Sequence, residues 1–243
     1  MKVIPAIDIK DNNVVRLIRG DYEQITLYST DPADMARRWR SQGASLLHVV
    51  DLDGALSGEP KNMDSVAMIV KSVSIPVELG GGIRTLETIR WAFNMGVAKV
   101  VIGTKVVEDL EFISAAIKRY GEKIVVSIDA KNGFVMIRGW TKTSTINAID
   151  MARRMERLGA SSIIYTDVTV DGTLAGPNLT RLDNFLNNVN IPVVIAGGIS
   201  CVDDIRKLSA LNRKNLIGII IGKALYEGEV NLREAIAACL RRE

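Results

Sequence analysis

The chain is short of the groups that most often carry enzyme chemistry. Its 243 residues hold one histidine, His48, which excludes any site built on several histidine ligands. The two cysteines, Cys201 and Cys239, lie far apart and match no metal or redox spacing. No apolar run is long enough to span a membrane and no signal peptide opens the chain, so a reducing, soluble, cytoplasmic setting is expected. A formal net charge of +3, with Lys and Arg scattered rather than massed, points to neither nucleic acid nor a membrane surface as partner. With histidine scarce, suspicion for acid–base work falls on carboxylates.

What the chain does have is a regular alternation. Nearly half its residues are apolar, and strand-like runs are predicted at 2–8, 46–51, 75–79, 98–102, 123–129, 161–166, 192–196 and 217–221. Between them lie amphipathic segments such as DPADMARRWRSQG and TLETIRWAFNMG, opened by an acid or Thr and closed by Gly as helix caps require. TINAIDMARRMERLG places Ile146, Ile149, Ala152, Met155 and Leu158 at helical spacing. Eight strand–helix units in this length suit one (β/α)8 TIM barrel, which takes about 250 residues. An open doubly wound sheet is the competitor, but it more often stops at five or six strands.

The two halves also resemble each other. LGGGIRTLETIR at 79–90 aligns with IAGGISCVDDIR at 195–206, an offset of 116. HVVDLDGAL at 48–56 matches IYTDVTVDGTL at 164–174 with two extra residues in the second copy, and VVIGTKVV at 100–107 pairs with IIIGKALY at 219–226. Half-barrels of about 1–121 and 122–243 follow, with Asp8 of VIPAIDI corresponding to Asp129 of IVVSIDA. Each is a lone acid ending an apolar strand, and the duplication sets them across one mouth. The alternative for either is a cap on the next turn.

Gly81 and Gly82 after strand 3, and Gly197 and Gly198 after strand 7, stand where backbone N–H groups can approach an anion. Gly103 and Thr104 after strand 4, and Gly222 and Lys223 after strand 8, would complete one cradle in each half. Two matched cradles imply a ligand with a phosphate at each end. Paired acids between them can divide donation and abstraction of protons. Thr166, ending strand 6, could bond a sugar hydroxyl or assist an acid, or be an ordinary strand residue. Asp51 and Asp167 close strands 2 and 6 and are expected to order loops, the alternative being to bind substrate. His48 is expected to pack inside the barrel, the alternative being a catalytic role. The first loop, with Arg16 and Arg19, and the segment NGFVMIRGWTKT, with Arg138 and Trp140, are long and read as mouth lids. Trp140 is expected to stack on a flat ring; the alternative is a small hairpin packing its own apolar side chains.

Taken in order, IPAIDI, VVRLIRGDY, HVVDLDGA, LGGGIR, VIGT, IDA with a following RGW, YTDVTVDGTLAGPN, AGGIS and IIIGKALYEG closely resemble the histidine-biosynthesis isomerase family. Its members convert N'-(5'-phosphoribosyl)formimino-5-aminoimidazole-4-carboxamide ribonucleotide (ProFAR) to its ribulosyl isomer. The resemblance covers essentially the whole chain. It implies a small-molecule bisphosphate substrate and an Amadori rearrangement without cofactor or metal; a monomer is expected. Matched by position, Asp129 resembles the acid that protonates the ribose ring oxygen and Asp8 the base that takes the proton from the second sugar carbon. Thr166 falls on the assisting threonine and Trp140 on the stacking tryptophan. Gly172, in the YTDVTVDGTL segment, joins the expected phosphate-binding set with the cradle residues and Arg19.

Arg19 departs from the Gln of many single-substrate members and resembles bifunctional relatives that also isomerise phosphoribosyl anthranilate, whose carboxylate an extra arginine suits. The cyclase half of imidazole glycerol phosphate synthase shares the duplicated barrel, but usually begins Cys-Leu-Asp-Val where this chain has Ala6 before Ile7 and Asp8. A non-catalytic sugar-phosphate sensor would keep the cradles and have no use for both acids.

Overall fold

Runs such as IVVSI are rich in β-branched residues and apolar on both faces, the pattern of a strand buried between a barrel interior and a helix layer. The computed structural model describes residues 1–18 and 20–240. Among the described residues twelve strands follow in order: β1 Lys2–Lys10, β2 Asn13–Ile18, β3 Asp21–Ser29, β4 Leu47–Asp51, β5 Val77–Gly80 and β6 Lys99–Ile102. Then come β7 Ile124–Lys131, β8 Phe134–Ile137, β9 Lys142–Asn147, β10 Ile163–Asp167, β11 Val193–Ala196 and β12 Leu216–Ile221.

Eight of them, β1, β4, β5, β6, β7, β10, β11 and β12, pair in parallel with their neighbours, and β10 closes on β7 through Thr166 opposite Asp129. This is a closed (β/α)8 barrel. Ile4, Ala6, Val101, Val125, Ile164, Val194, Ala196 and Ile220 fill its interior. The other faces of the strands pack against the helices in a larger core that includes Trp39 and Tyr165.

The helices start where local chemistry dictates. Asp31 caps Pro32–Ser41 by accepting from the Asp34 N–H, and Pro32 stands in the first turn, where its missing N–H costs nothing. Thr85 and Thr88 form a reciprocal cap on Leu86–Asn94. The helix expected in TINAIDMARRMERLG begins later than its spacing suggests. Asn147 caps Ala148–Arg157, Ile146 belongs to β9, and the buried face is Ala148, Met151, Ala152 and Met155.

Both segments read as mouth lids form hairpins, which for NGFVMIRGWTKT is the alternative given above. β2 pairs antiparallel with the overhanging end of β1 and with β3; β8 pairs likewise with the end of β7 and with β9. Each hairpin thus continues the strand that carries one of the two acids. Arg19 lies outside the described residues.

Candidate active site

Asp8 and Asp129 lie beyond the apolar interior at the C-terminal ends of β1 and β7, where barrel enzymes build their sites. Both line one cavity of about 200 Å³, together with Thr166, Trp140, Gly81, Gly82, Gly103 and Thr104. A smaller cavity of about 30 Å³ is lined by Gly172, Gly197, Gly198, Gly222 and Lys223. The residues singled out in the two halves therefore sort into two adjoining cavities. Arg16 and Asp171 line both.

The two acids have different surroundings. Asp8 Oδ2 lies 2.7 Å from Nη1 of Arg16, which projects from β2 and is itself buried. Asp129 accepts from Ser127 Oγ at 2.9 Å and from Trp140 Nε1 at 2.8 Å. Trp140 therefore bonds the acid through its ring N–H, a role its sequence position did not suggest. It sits at the tip of the β8–β9 hairpin, where Arg138, Gly139 and Trp140 all have positive φ, +57°, +59° and +68°. Non-glycine residues in that region cost of order 1–3 kcal/mol each, so the hairpin holds a strained tip that presents the indole to Asp129. The hairpin also packs its own apolar residues, with Val135, Met136 and Ile137 buried. The two hairpins meet over the mouth: the space beside Gly20 is filled by the Trp140 ring.

Asp171 was missed in the sequence, where only the neighbouring Gly172 drew notice. Burial pushes its carboxyl up from 3.8 to about 6; Arg16 opposes the shift, and the charges of Asp8 and Asp129 add to it. Three carboxylates and one guanidinium thus share the mouth. The signal available in sequence was the alignment of VDG at 170–172 with LDG at 52–54. It did not separate an acid facing the site from one facing a loop.

Asp51 and Asp167 serve the loops. Asp51 is fully buried and accepts from the N–H groups of Gly54, Lys61 and Asn62 and from the Asn62 side chain. Asp167 takes Arg181 at 2.9 Å and the Thr169 hydroxyl at 2.6 Å. Gly81 lies against this support. Its φ is +97°, and a Cβ there would stand 2.1 Å from the Asp51 carbonyl oxygen, so only glycine fits.

His48 is buried as expected, with Nδ1 2.8 Å from Glu78 Oε1, yet it also lines the large cavity beneath the acids. The Thr104 hydroxyl accepts from the Arg138 N–H at 2.9 Å, tying the first cradle to the second hairpin. Among the described residues, no cluster of three His, Cys, Asp or Glu could hold a metal ion and no helix is long and apolar enough to cross a membrane.

Fold and site together define a (β/α)8-barrel protein with an acidic, carboxylate-based centre at its C-terminal mouth. Residues 2–231 match the family described as histidine biosynthesis protein. A relative from Chloroflexus aggregans is 48% identical over 98% of this chain and 97% of its own length. One from Synechocystis sp. is 47% identical, covering 98% and 93%, and one from Acetivibrio thermocellus 46%, covering 97% and 98%. All three are named as 1-(5-phosphoribosyl)-5-((5-phosphoribosylamino)methylideneamino)imidazole-4-carboxamide isomerase. The chain belongs to the histidine biosynthesis protein family.

Proposed function

We propose that this protein is the isomerase that converts ProFAR, the substrate in its relatives' names, to the ribulosyl isomer by an Amadori rearrangement. The observation that carries the reading is the meeting of Asp8 and Asp129 at one cavity, between glycine-lined cradles supplied by the two halves. The cradles bind the two phosphates and hold the reacting ribose over the acids, so that positioning supplies much of the rate.

Asp129 then protonates the ribose ring oxygen, and the ring opens to a Schiff base. Asp8 removes the proton from the second sugar carbon. The electron pair moves towards the nitrogen to give an enolamine, which tautomerises to the ketone. Each proton transfer is worth about 10²–10⁴-fold. Thr166, level with Asp129 on the adjacent strand, assists at the sugar hydroxyls. Trp140 keeps its ring N–H on Asp129 and lays its ring face on the imidazole. The substrate is a small bisphosphate, and the protein works as a monomer in the cytoplasm.

A second assignment of the acid has its own support. Trp140 points its N–H at Asp129, whereas Asp171 keeps a proton to about pH 6. Asp171 is therefore the alternative donor. The test is a spectroscopic assay of purified protein with ProFAR, coupled to a synthase that consumes the product. Turnover with wild type, and its loss with retained binding in Asp8→Asn, supports the isomerase; binding without turnover in wild type overturns it. Comparing Asp129→Asn with Asp171→Asn identifies the donor.

A further inference from the structure

Arg16 occupies an unusual position between the two cavities. Its Nη1 lies close to Asp8, but the N–H is not aimed along a hydrogen bond, and both Nε and Nη1 are buried without a hydrogen-bond partner among the described residues. Buried donors left unused are costly, and a guanidinium carries a fork of donors suited to phosphate. The same guanidinium lies over Gly222: a Cβ built there would come 1.9 Å from Nη2. Glycine at 222 is what lets the arginine reach the floor of the second cradle.

One cation thus faces two anions in turn. The geometry points to Arg16 as a positioning residue that responds to phosphate. In the unliganded protein it holds Asp8 in an ion pair. When a phosphate dianion seats against Gly197, Gly198, Gly222 and Lys223, the spare N–H donors of Arg16 turn to it. The side chain shifts off Asp8 and leaves that carboxylate aimed at the sugar. Binding of a non-reacting phosphate is in this way converted into a faster proton abstraction rather than into affinity alone. The inference rests on the isomerase reading and adds to it a coupling between one cradle and the base.

The experiment uses the whole enzyme with two substrate fragments, each lacking one terminal phosphate, assayed with and without phosphite dianion. In wild type, phosphite is expected to raise kcat on one fragment by at least about tenfold. In Arg16→Gln the acceleration falls below about twofold, and with the intact substrate kcat drops by at least about tenfold while KM stays within about threefold. Arg16→Lys, which keeps the charge but not the fork, gives an intermediate acceleration and serves as the deciding variant where Arg16→Gln fails to melt cooperatively. Acceleration equal to wild type in either variant overturns the inference, as does a rise in KM with kcat unchanged. Wild-type enzyme that turns over the intact substrate while its phosphite response ignores Arg16 sinks this inference alone. No turnover of the intact substrate sinks the isomerase reading and this inference with it.

Discussion

The indole N–H of Trp140 donates a 2.8 Å hydrogen bond to Oδ2 of Asp129 from a hairpin tip of three successive positive-φ residues. This contact separates two functions of one side chain, bonding the acid and offering a ring face. Trp140→Phe keeps the face and deletes the N–H. A hydrogen bond to a charged group contributes about 1.5–3 kcal/mol, so kcat should change by about tenfold or more with KM nearly constant. Trp140→Ala should raise KM as well. Steady-state kinetics of the two variants separates the roles.

Asp171 makes a pH-dependent prediction. Its folded value of about 6 exceeds the ordinary 3.8, so the folded chain holds this proton more tightly than the unfolded one. The contribution to stability is full below about pH 4 and is lost as pH rises through 6. The shift corresponds to at most about 3 kcal/mol. Asp171→Asn removes the penalty of ionising a buried acid. Its melting temperature should match wild type at pH 4 and exceed it at pH 8.

If Asp171 is also the proton donor, turnover should fall as pH rises through about 6, because only the protonated form can give. The coupled carboxylates titrate together, so the profile belongs to the cluster. Loss of that alkaline limb in Asp171→Asn, with residual activity, would assign it.

Support of the loops is separable from catalysis. Asp51→Ala strips partners from three backbone N–H groups and the Asn62 amide, and should cost at least about 3 kcal/mol in denaturant unfolding. Gly81→Ala places a Cβ 2.1 Å from the Asp51 carbonyl at a φ of +97°, and should lower the melting temperature through both clash and left-handed strain. A Gly81→Ala protein as stable as wild type would contradict this account of the cradle.

The barrel was legible because parallel strands buried on both faces read as continuous apolar runs, and internal repetition fixed their correspondence. The two acids were legible for the same reason: each breaks an apolar strand at its C-terminal end. The first hairpin was not, since VVRLI is a short run whose partner is the overhanging end of β1 and strand length is set by pairing rather than by composition; the second was open only as the alternative to a lid. Ile146 fitted the helical period but lies in β9, because the Asn147 side chain fixes where the helix begins. Arg16 and Asp171 lay in segments whose motifs were noticed, but their meeting depends on the packing of the first hairpin against the loop after β10. That packing is visible in Gly172, where a Cβ would stand 2.5 Å from the Leu17 carbonyl oxygen.

The central claim is that Asp8 abstracts a proton from a sugar held by its phosphates. Asp8→Asn keeps the shape of the side chain and removes the base, so ProFAR turnover and ProFAR affinity should be measured side by side on this variant. The account predicts turnover lowered by at least about 10²-fold with affinity within about threefold of wild type. Turnover near the wild-type rate would contradict it.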